Sequence, residues 1–240
     1  MKVFLVLAHP EPQSFNASLT SAAVEALERE GHTTSVSDLY VMNFDPVSDR
    51  RNFTTVKDAS YYKQQAEELH ATQHDGFDPV LRGEMAKLEA CDALVLQFPL
   101  WWFGMPAIMK GWVDRVFAAG RVYGGGKWYD HGAFAGKRAI CSVTIGGPAS
   151  MYTRDGLNGP IDEILFPINH GMLAFTGFSV LPAFLVHGPA RMSNAERKNA
   201  IARWSAHILK LGSVAPIEYP KLSEFDPSTW SAQSPQHGAR

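Results

Sequence analysis

The sequence predicts an α/β fold in which helices cover both faces of a doubly wound, five-stranded parallel sheet. Residues 3–8 and 93–98 are apolar runs of the kind found in strands that are buried on both faces. Segments with helical apolar spacing alternate with the candidate strands, as crossover connections between parallel strands require. The chain has 240 residues, 45% of them hydrophobic, which suits one compact domain with an appended segment.

The first half of the chain supplies three strands. Residues 2–8 form the first strand, and the helix that follows ends at Gly31, whose missing Cβ suits a left-handed cap. Residues 33–39 are rich in β-branched side chains and predict the second strand. A polar, turn-rich segment then precedes a helix predicted from about residue 55 to residue 73. Asp78 and Pro79 begin another helix, which runs to about residue 90 and precedes the third strand.

The second half supplies two more strands. A helix begins near Pro106, and its spacing predicts that the side chains outside the core are Lys110, Asp114 and Arg115. After a glycine-rich loop, residues 120–136, come the fourth strand (137–144), a helix begun by Pro160 and kinked at Pro167, and the fifth strand (178–186). Ser193 and Glu196 form a capping box for the last helix. We predict one domain over residues 1–212 and a polar surface tail over residues 213–240.

The order of the strands predicts where a ligand binds. Five strands favour the flavodoxin-like order 2-1-3-4-5, a three-layer arrangement in which strands 1 and 3 flank the switch point. The loops after strands 1, 3 and 4, residues 9–18, 99–105 and 144–158, should therefore share one crevice.

Three aromatic residues, Trp101, Trp102 and Phe103, follow the third strand, although such loops usually carry polar turn residues. A flat aromatic surface at this edge of the sheet would hold a planar cofactor. A surface patch or a subunit contact explains the same residues, and the two interpretations are compatible.

The first loop lacks both G-x-G-x-x-G and G-x-x-x-x-G-K-[ST], so neither phosphate-binding fingerprint is present. It offers Ser14, Asn16 and Ser18 near a helix N-terminus, where free N–H groups attract anions. Ser14 could equally be only the helix N-cap. His9 could contact a phosphate or be an ordinary hydrogen-bonded surface residue.

The third loop reads Thr144-Ile145-Gly146-Gly147, and its glycines let backbone N–H groups approach a ring edge closely. Donors at that edge would stabilise the charge that a reduced flavin gathers. Tyr152 could donate to the same edge, or be an ordinary half-buried tyrosine. The run Gly124–Gly126 predicts a flexible lid or turn, since no Lys-Ser/Thr follows it.

Composition narrows the function classes. Lys plus Arg number 22 and Asp plus Glu 24, so the net charge of −2 argues against a nucleic-acid binder. Cys91 and Cys141 lie beside or within apolar runs and predict buried thiols, which favours a cytoplasmic protein. The apolar runs are too short for a signal peptide or a membrane span, and no metal site is predicted.

Three strings resemble one enzyme family: AHPEPQSFNASL (Ala8–Leu19), FPLWWFGMPAIMKGWVDRVF (Phe98–Phe117) and IGGPASMY (Ile145–Tyr152). The likeness to NAD(P)H:quinone oxidoreductases of the DT-diaphorase type extends from Lys2 to about Leu211. The resemblance implies a flavodoxin-like fold, non-covalent FAD rather than FMN, and two-electron ping-pong reduction of quinones by NAD(P)H. It also implies a homodimer whose active sites lie at the subunit interface.

The resemblance assigns roles to matching residues. Those implied at the FAD pyrophosphate and its surroundings are His9, Ser14, Phe15 and Asn16. Those implied along the isoalloxazine and ribityl chain are Pro99, Leu100, Trp102 and Phe103. Those implied at the flavin ring edge are Thr144, Ile145, Gly146, Gly147 and Tyr152, with Arg197 near the adenine. Those implied for substrate are Tyr123 and Phe175, together with Trp101, which faces substrate or the partner subunit.

The chain departs from the family pattern at several positions. Asn158 stands where mammalian members pair this tyrosine with a relay histidine, and an amide cannot titrate near neutral pH. A second pocket tyrosine is replaced within Gly124–Gly126, which predicts a more open lid. Asp114 stands in place of a family glutamate near the adenine, and Gln64 is the nearest match to a family glutamine.

Two other functions remain compatible with the sequence. One is a flavin-binding regulatory subunit of a protein partner, such as an ion-efflux system. The other is a flavodoxin-like electron carrier, although a net charge of −2 gives little field to steer such a partner.

Overall fold

The computed structural model describes residues 1–232, and its strands form one parallel sheet in the order β2-β1-β3-β4-β5. This confirms the predicted flavodoxin-like order. The strands within the described residues are β1 (Lys2–Leu7), β2 (Thr33–Asp38), β3 (Ala93–Pro99), β4 (Arg138–Ile145), β5 (Ser179–Val180) and β6 (Phe184–His187).

Helices lie on both faces of the sheet. The α-helices in the described residues are α1 (Phe15–Arg29), α2 (Gln64–His74), α3 (Pro79–Ala90), α4 (Ala107–Val116), α5 (Ile161–Ile168) and α6 (Asn194–Ile208). The predicted capping box at Ser193 and Glu196 is present, and so is the Asp78 N-cap with Pro79 in the first turn of α3. Gly31 adopts a φ of 77° after α1, as predicted for its left-handed cap. Just after Pro167, α5 passes into a π-helix, Asn169–Ala174.

Two apolar cores explain the apolar runs of the central strands. Successive residues of β1 alternate between them: Phe4 packs with Trp112 of α4 on one face, and Leu5 packs with Trp204 of α6 on the other. Side chains of a strand point alternately to opposite faces of the sheet. A strand covered on both faces therefore shows no alternation of apolar and polar residues.

The predicted fifth strand, residues 178–186, is interrupted. It consists of β5 and β6, which pair with opposite ends of β4, and the three residues between them include Pro182. Proline has no N–H to donate to the sheet and so interrupts the ladder. The strand continues one residue further than predicted, to His187.

Two further predictions were wrong in detail. The helix predicted from about residue 55 begins only at Gln64, because Glu67 accepts the N–H groups of Lys57 (2.7 Å) and Asp58 (3.0 Å) and holds them in a loop. Arg115 is only 6% exposed. Its Nε donates to Asn52 Oδ1 (2.7 Å), since the polar segment before α2 folds over this side of α4.

The segment after α6 runs across the surface of the domain. The Ile217 N–H donates to Val180 O (2.7 Å), which fastens this segment beside β5. The predicted tail also includes residues 233–240, which lie outside the described residues. Among the described residues no helix has the length and apolar character to cross a membrane.

Candidate active site

A buried polar network lies beneath the predicted crevice. Gln97 of β3 donates to Asn16 Oδ1 (2.8 Å), and Asn16 donates from Nδ2 to Thr144 Oγ1 (2.9 Å). All three side chains are buried. Buried amides are costly to leave unpaired, so the network fixes α1 against the carboxyl ends of β3 and β4. Gln97 Oε1 is the one oxygen of these side chains that is buried without a partner.

The three predicted loops lie together above this network. The Ala8 N–H donates to Gln97 O (3.0 Å), and the Leu100 N–H donates to Thr144 O (2.8 Å). The rings of His9 and Trp101 lie 6.3 Å apart, which joins the first loop to the second. Pro99 and Ile145 end their strands and are buried, and Leu100 packs against the core.

The aromatic residues form a strained turn, which we call the aromatic lip (Trp101, Trp102 and Phe103). Trp101 and Gly104 exchange two backbone hydrogen bonds of 3.0 Å around a two-residue turn. Trp102 (φ 50°) and Phe103 (φ 59°) are both left-handed, a conformation that such turns usually give to Asn-Gly. Each costs about 1–3 kcal/mol, and strain of this kind clusters at ligand sites. Trp102 is 98% exposed and Phe103 52%.

The first loop presents a helix N-terminus to the crevice. Ser14 is the N-cap of α1, because its Oγ accepts the Ala17 N–H (3.1 Å). Within the described residues, no acceptor is bonded to the N–H groups of Phe15 and Asn16, which leaves two donors at the positive end of a 15-residue helix. His9 Nδ1 accepts the Glu11 N–H (3.0 Å), so the neutral ring carries its proton on Nε2 and donates from there.

The glycines of the third loop are held by their carbonyl groups. His187 Nδ1 donates to Gly147 O (3.3 Å), and Arg191 Nη2 donates to Gly146 O. The N–H groups of Gly146 and Gly147 have no acceptor among residues 1–232. The loop therefore offers two free donors beside the lip, with their peptide planes fixed from behind.

His187 is a site residue that sequence reasoning missed. Its ring lies 5.7 Å from the Tyr152 ring, and partial burial lowers the pKa of His187 below its ordinary value. Because Nδ1 donates to a carbonyl, Nε2 of the neutral ring is the acceptor. The histidine lies one residue beyond the predicted end of the fifth strand. That position could have identified it as a site residue from the sequence.

Asn158 does not pair with Tyr152 through a side-chain hydrogen bond in the described residues; its N–H donates to Met151 O (2.9 Å). A Cβ on Gly147 would lie 3.0 Å from Tyr152 Cε2, so the glycine is what lets the tyrosine ring lie on this loop. Arg197, in the first turn of α6, donates from Nε to Pro189 O (3.2 Å).

Comparisons with known proteins identify the family. The model of the family described as "Flavodoxin-like fold" matches residues 1–208. NAD(P)H dehydrogenase [quinone] 1 of Cavia porcellus is 40% identical over 226 residues, which cover 94% of this chain and 82% of that protein. Human ribosyldihydronicotinamide dehydrogenase [quinone] is 40% identical over 217 residues, which cover 90% of this chain and 94% of that protein.

A solved structure is similar over nearly the whole chain. The crystal structure of a proposed quinone reductase from Klebsiella pneumoniae has a TM-score of 0.94 and 36% identity, covering 97% of this chain and 94% of that one. This chain belongs to the flavodoxin-like quinone oxidoreductases.

The crevice of this quinone oxidoreductase fits a flavin. The aromatic lip offers a surface on which a flavin ring can stack, and the free N–H groups of Gly146 and Gly147 can donate to the edge of that ring. The free N–H groups of Phe15 and Asn16 can donate to a phosphate group. A Cβ built on Gly146 meets nothing within 4 Å, so open space lies above the loop. The donor set therefore fits a flavin with a phosphate group.

Tyr123 and Phe175, predicted at the substrate, lie away from this crevice in the oxidoreductase chain. Their rings are 6.5 Å apart and line a cavity of about 240 Å³ to which no residue of the three crevice loops contributes. Gln64, Asp114 and Glu68 line the same cavity. Burial raises the pKa of Glu68, whose Oε2 accepts the Tyr123 hydroxyl (3.4 Å).

Proposed function

We propose that this protein is an FAD-dependent NAD(P)H:quinone oxidoreductase that works by a two-electron ping-pong cycle. The observation that carries the proposal is the exposed, strained aromatic lip beside two free glycine N–H groups at the carboxyl ends of β3 and β4. A nicotinamide donor and a quinone acceptor are named for the relatives from Cavia porcellus and human that match most of this chain. FAD rather than FMN is the cofactor that the resemblance to the DT-diaphorase type implies.

FAD, when bound, accepts a hydride from NAD(P)H and returns two electrons to the quinone. The chain's own residues provide binding and charge stabilisation. Trp102 and Phe103 supply the face on which a planar ring stacks, and the N–H groups of Gly146 and Gly147 donate to an edge that becomes negative. Phe15 and Asn16 donate from their N–H groups to the pyrophosphate, with His9 beside them, and Arg197 lies towards the adenine.

Proton movement rests on Tyr152 and His187. Tyr152 holds a hydroxyl proton beside Gly147, within ring contact of His187 (5.7 Å between centroids). His187 can accept a proton at Nε2 while Nδ1 keeps its bond to Gly147 O. We assign to His187 the titrating role that Asn158 cannot perform; Asn158 stays a positioning residue of the same loop.

A homodimer would complete the site. Trp102 and Leu157, on two of the crevice loops, are 98% and 86% exposed, and exposed apolar surface of this kind marks interfaces. A second copy would cover the lip and bring its own Tyr123 and Phe175, which line no part of the crevice within one chain. Two unpaired, buried cysteines, Cys91 and Cys141, agree with the proposed cytoplasmic setting.

The test is an assay with purified protein and no protein partner. Steady oxidation of NADH or NADPH with 1,4-benzoquinone, together with FAD in the heat-released supernatant, is the expected result. The control is Trp102→Ala, which should lose both the flavin and the turnover. Bound flavin without turnover would instead favour a regulatory subunit or an electron carrier, and absence of flavin binding would contradict the proposal.

A further inference from the structure

Two histidines lie one turn apart at the end of α2, and neither belongs to the three crevice loops. His70 and His74 have the i, i+4 spacing that places side chains on the same face of a helix. Their ring centroids are 4.1 Å apart, with 31° between the ring planes. Histidines at this spacing on one helix face can bind the same metal ion.

A hydrogen bond fixes the ring of His74. Its Nδ1 lies 2.8 Å from the carbonyl oxygen of His70, one turn earlier. A carbonyl oxygen only accepts, so Nδ1 carries the proton and Nε2 of the neutral ring keeps a lone pair. Metal-binding histidines usually donate their other ring N–H to a carbonyl or a carboxylate, because that bond sets both the tautomer and the ring orientation. His74 is therefore already oriented as a metal ligand.

The carboxylates nearest in sequence are engaged elsewhere. Glu67, one turn before His70, accepts two backbone N–H groups of the loop that precedes α2. Asp75 pairs with Arg82 at 2.6 Å. Among the described residues, no group of three or more histidine, cysteine or carboxylate side chains could hold a metal ion. The pair is open to solvent, because His74 is exposed and His70 is half-buried.

The inner face of α2 holds the helical turn that carries the two histidines. Ala71 is fully buried, and the Thr72 hydroxyl donates to Ala119 O (3.2 Å). The Gly76 N–H donates to Ala71 O (2.8 Å) just after the helix ends. Because the turn is already ordered, a metal bound by one imidazole finds the second at a high effective concentration.

We propose that His70 and His74 bind one divalent transition-metal ion of the class that includes copper, nickel and zinc. Nε2 of His74 and one ring nitrogen of His70 are the protein ligands, and water fills the remaining positions. Imidazole suits all three metals, and Cu²⁺ binds most tightly among them. Such a site was not predicted from the sequence, and it does not depend on the proposed function.

The test titrates untagged protein with CuCl₂ alone and follows binding by calorimetry. The Met1 amine and His32 Nδ1 lie 3.0 Å apart and could also bind Cu²⁺, so every protein in the test carries His32→Gln and this variant is the parent. Adding His74→Gln should weaken the tightest Cu²⁺ site about 10-fold or more, because the chelate is lost. Adding His131→Gln instead changes another exposed histidine, 71% exposed, and should leave Cu²⁺ affinity as in the parent.

Two further measurements show where the metal binds. Pulsed electron paramagnetic resonance of bound Cu²⁺ should detect two imidazole ligands in the parent and one after His74→Gln or His70→Gln. Hydrogen exchange with ZnCl₂ should show slower exchange of the backbone amides of residues 70–76 in the parent and no slowing in either variant, because the chelate requires this turn to be helical. Equal Cu²⁺ affinity in the parent and His74→Gln, or one imidazole in the parent spectrum, would show adventitious binding only and overturn the inference.

Discussion

The aromatic lip and a cavity of about 460 Å³, which we call the aromatic cavity, use the same kinds of side chain in different ways. The lining of the aromatic cavity includes Trp128, Tyr129, His170, Phe175 and Trp230. In the lip, Trp102 and Phe103 project into solvent above a fully buried polar network. In the cavity, the rings of Trp128 and Trp230 meet edge-on at 5.7 Å, with Trp128 half-buried and Trp230 54% exposed. Both contain left-handed residues that are not glycine. The rings of the cavity therefore contact one another within one chain, whereas in the proposed function a flavin and a second copy of the chain cover the lip.

The largest expected effect concerns the chemistry beside the lip, in which the aromatic cavity takes no part. Tyr152→Phe removes the hydroxyl beside Gly147 and should slow reduction of the bound flavin by NADPH about 100-fold, within the usual range for loss of a proton donor. Flavin content should not change. Stopped-flow absorbance measures the rate, with Tyr61→Phe, an exposed tyrosine, as the control. An unchanged rate would remove Tyr152 from the mechanism.

The buried polar network of Gln97, Asn16 and Thr144 beneath the crevice has no counterpart in the cavity. Asn16→Ala tests how much this network contributes to stability. This change removes the acceptor of Gln97 Nε2 and the donor to Thr144 Oγ1, so it should lower the free energy of unfolding by about 2 kcal/mol. Urea denaturation measures this loss. Asn194→Ala, at an exposed position of α6, is the control and should lie within about 0.5 kcal/mol of the wild type. An Asn16→Ala protein as stable as the wild type would show that this network does not hold α1 against β3 and β4.

The strain in the lip predicts a trade between stability and binding. The double variant Trp102→Asn, Phe103→Gly gives the turn the residues it prefers, and should raise the free energy of unfolding of the flavin-free protein by about 1–2 kcal/mol. The same variant should bind flavin at least 10-fold more weakly, because the ring face is lost. Denaturation and flavin titration measure the two effects. A variant that is both less stable and equally tight in binding flavin would contradict the strain argument.

The smallest expected effect is a dependence of stability on pH. Burial lowers the pKa of His170, in the cavity, and of His187, beside the lip, below that of the unfolded chain. Between the folded and unfolded values the unfolded chain binds more protons, so these groups contribute stability above about pH 6.5 that is lost as the pH falls through the folded pKa. Thermal melts at pH 7 and pH 5 should show a smaller loss for His187→Gln than for the wild type. Equal losses would exclude His187 from this effect.

The sequence predicted features that depend on local pattern. The strand order and the crevice of three loops followed from apolar runs and alternation, because each strand shows its burial in its own residues. Ser14, Asp78 and Ser193 were identifiable as caps for the same reason. The family strings added site roles that pattern alone left open.

The features that the sequence did not predict depend on contacts between distant segments. Arg115 was placed outside by helical spacing, but the segment that covers it has no readable period. His187 reaches Tyr152 only because β6 extends beside the end of β4. Trp230 meets Trp128 across about a hundred residues of sequence, and a polar tail gives no signal of such a contact.

The central claim is that the crevice carries electrons from a nicotinamide to a quinone through bound flavin. Anaerobic rapid mixing tests it most directly: the holoenzyme is first mixed with NADPH, and the product is then mixed with 1,4-benzoquinone. We predict that the first step bleaches the flavin absorbance and releases NADP⁺, and that the second restores the absorbance in one two-electron step. A flavin that NADPH does not bleach, with NADH equally inactive, would contradict the claim.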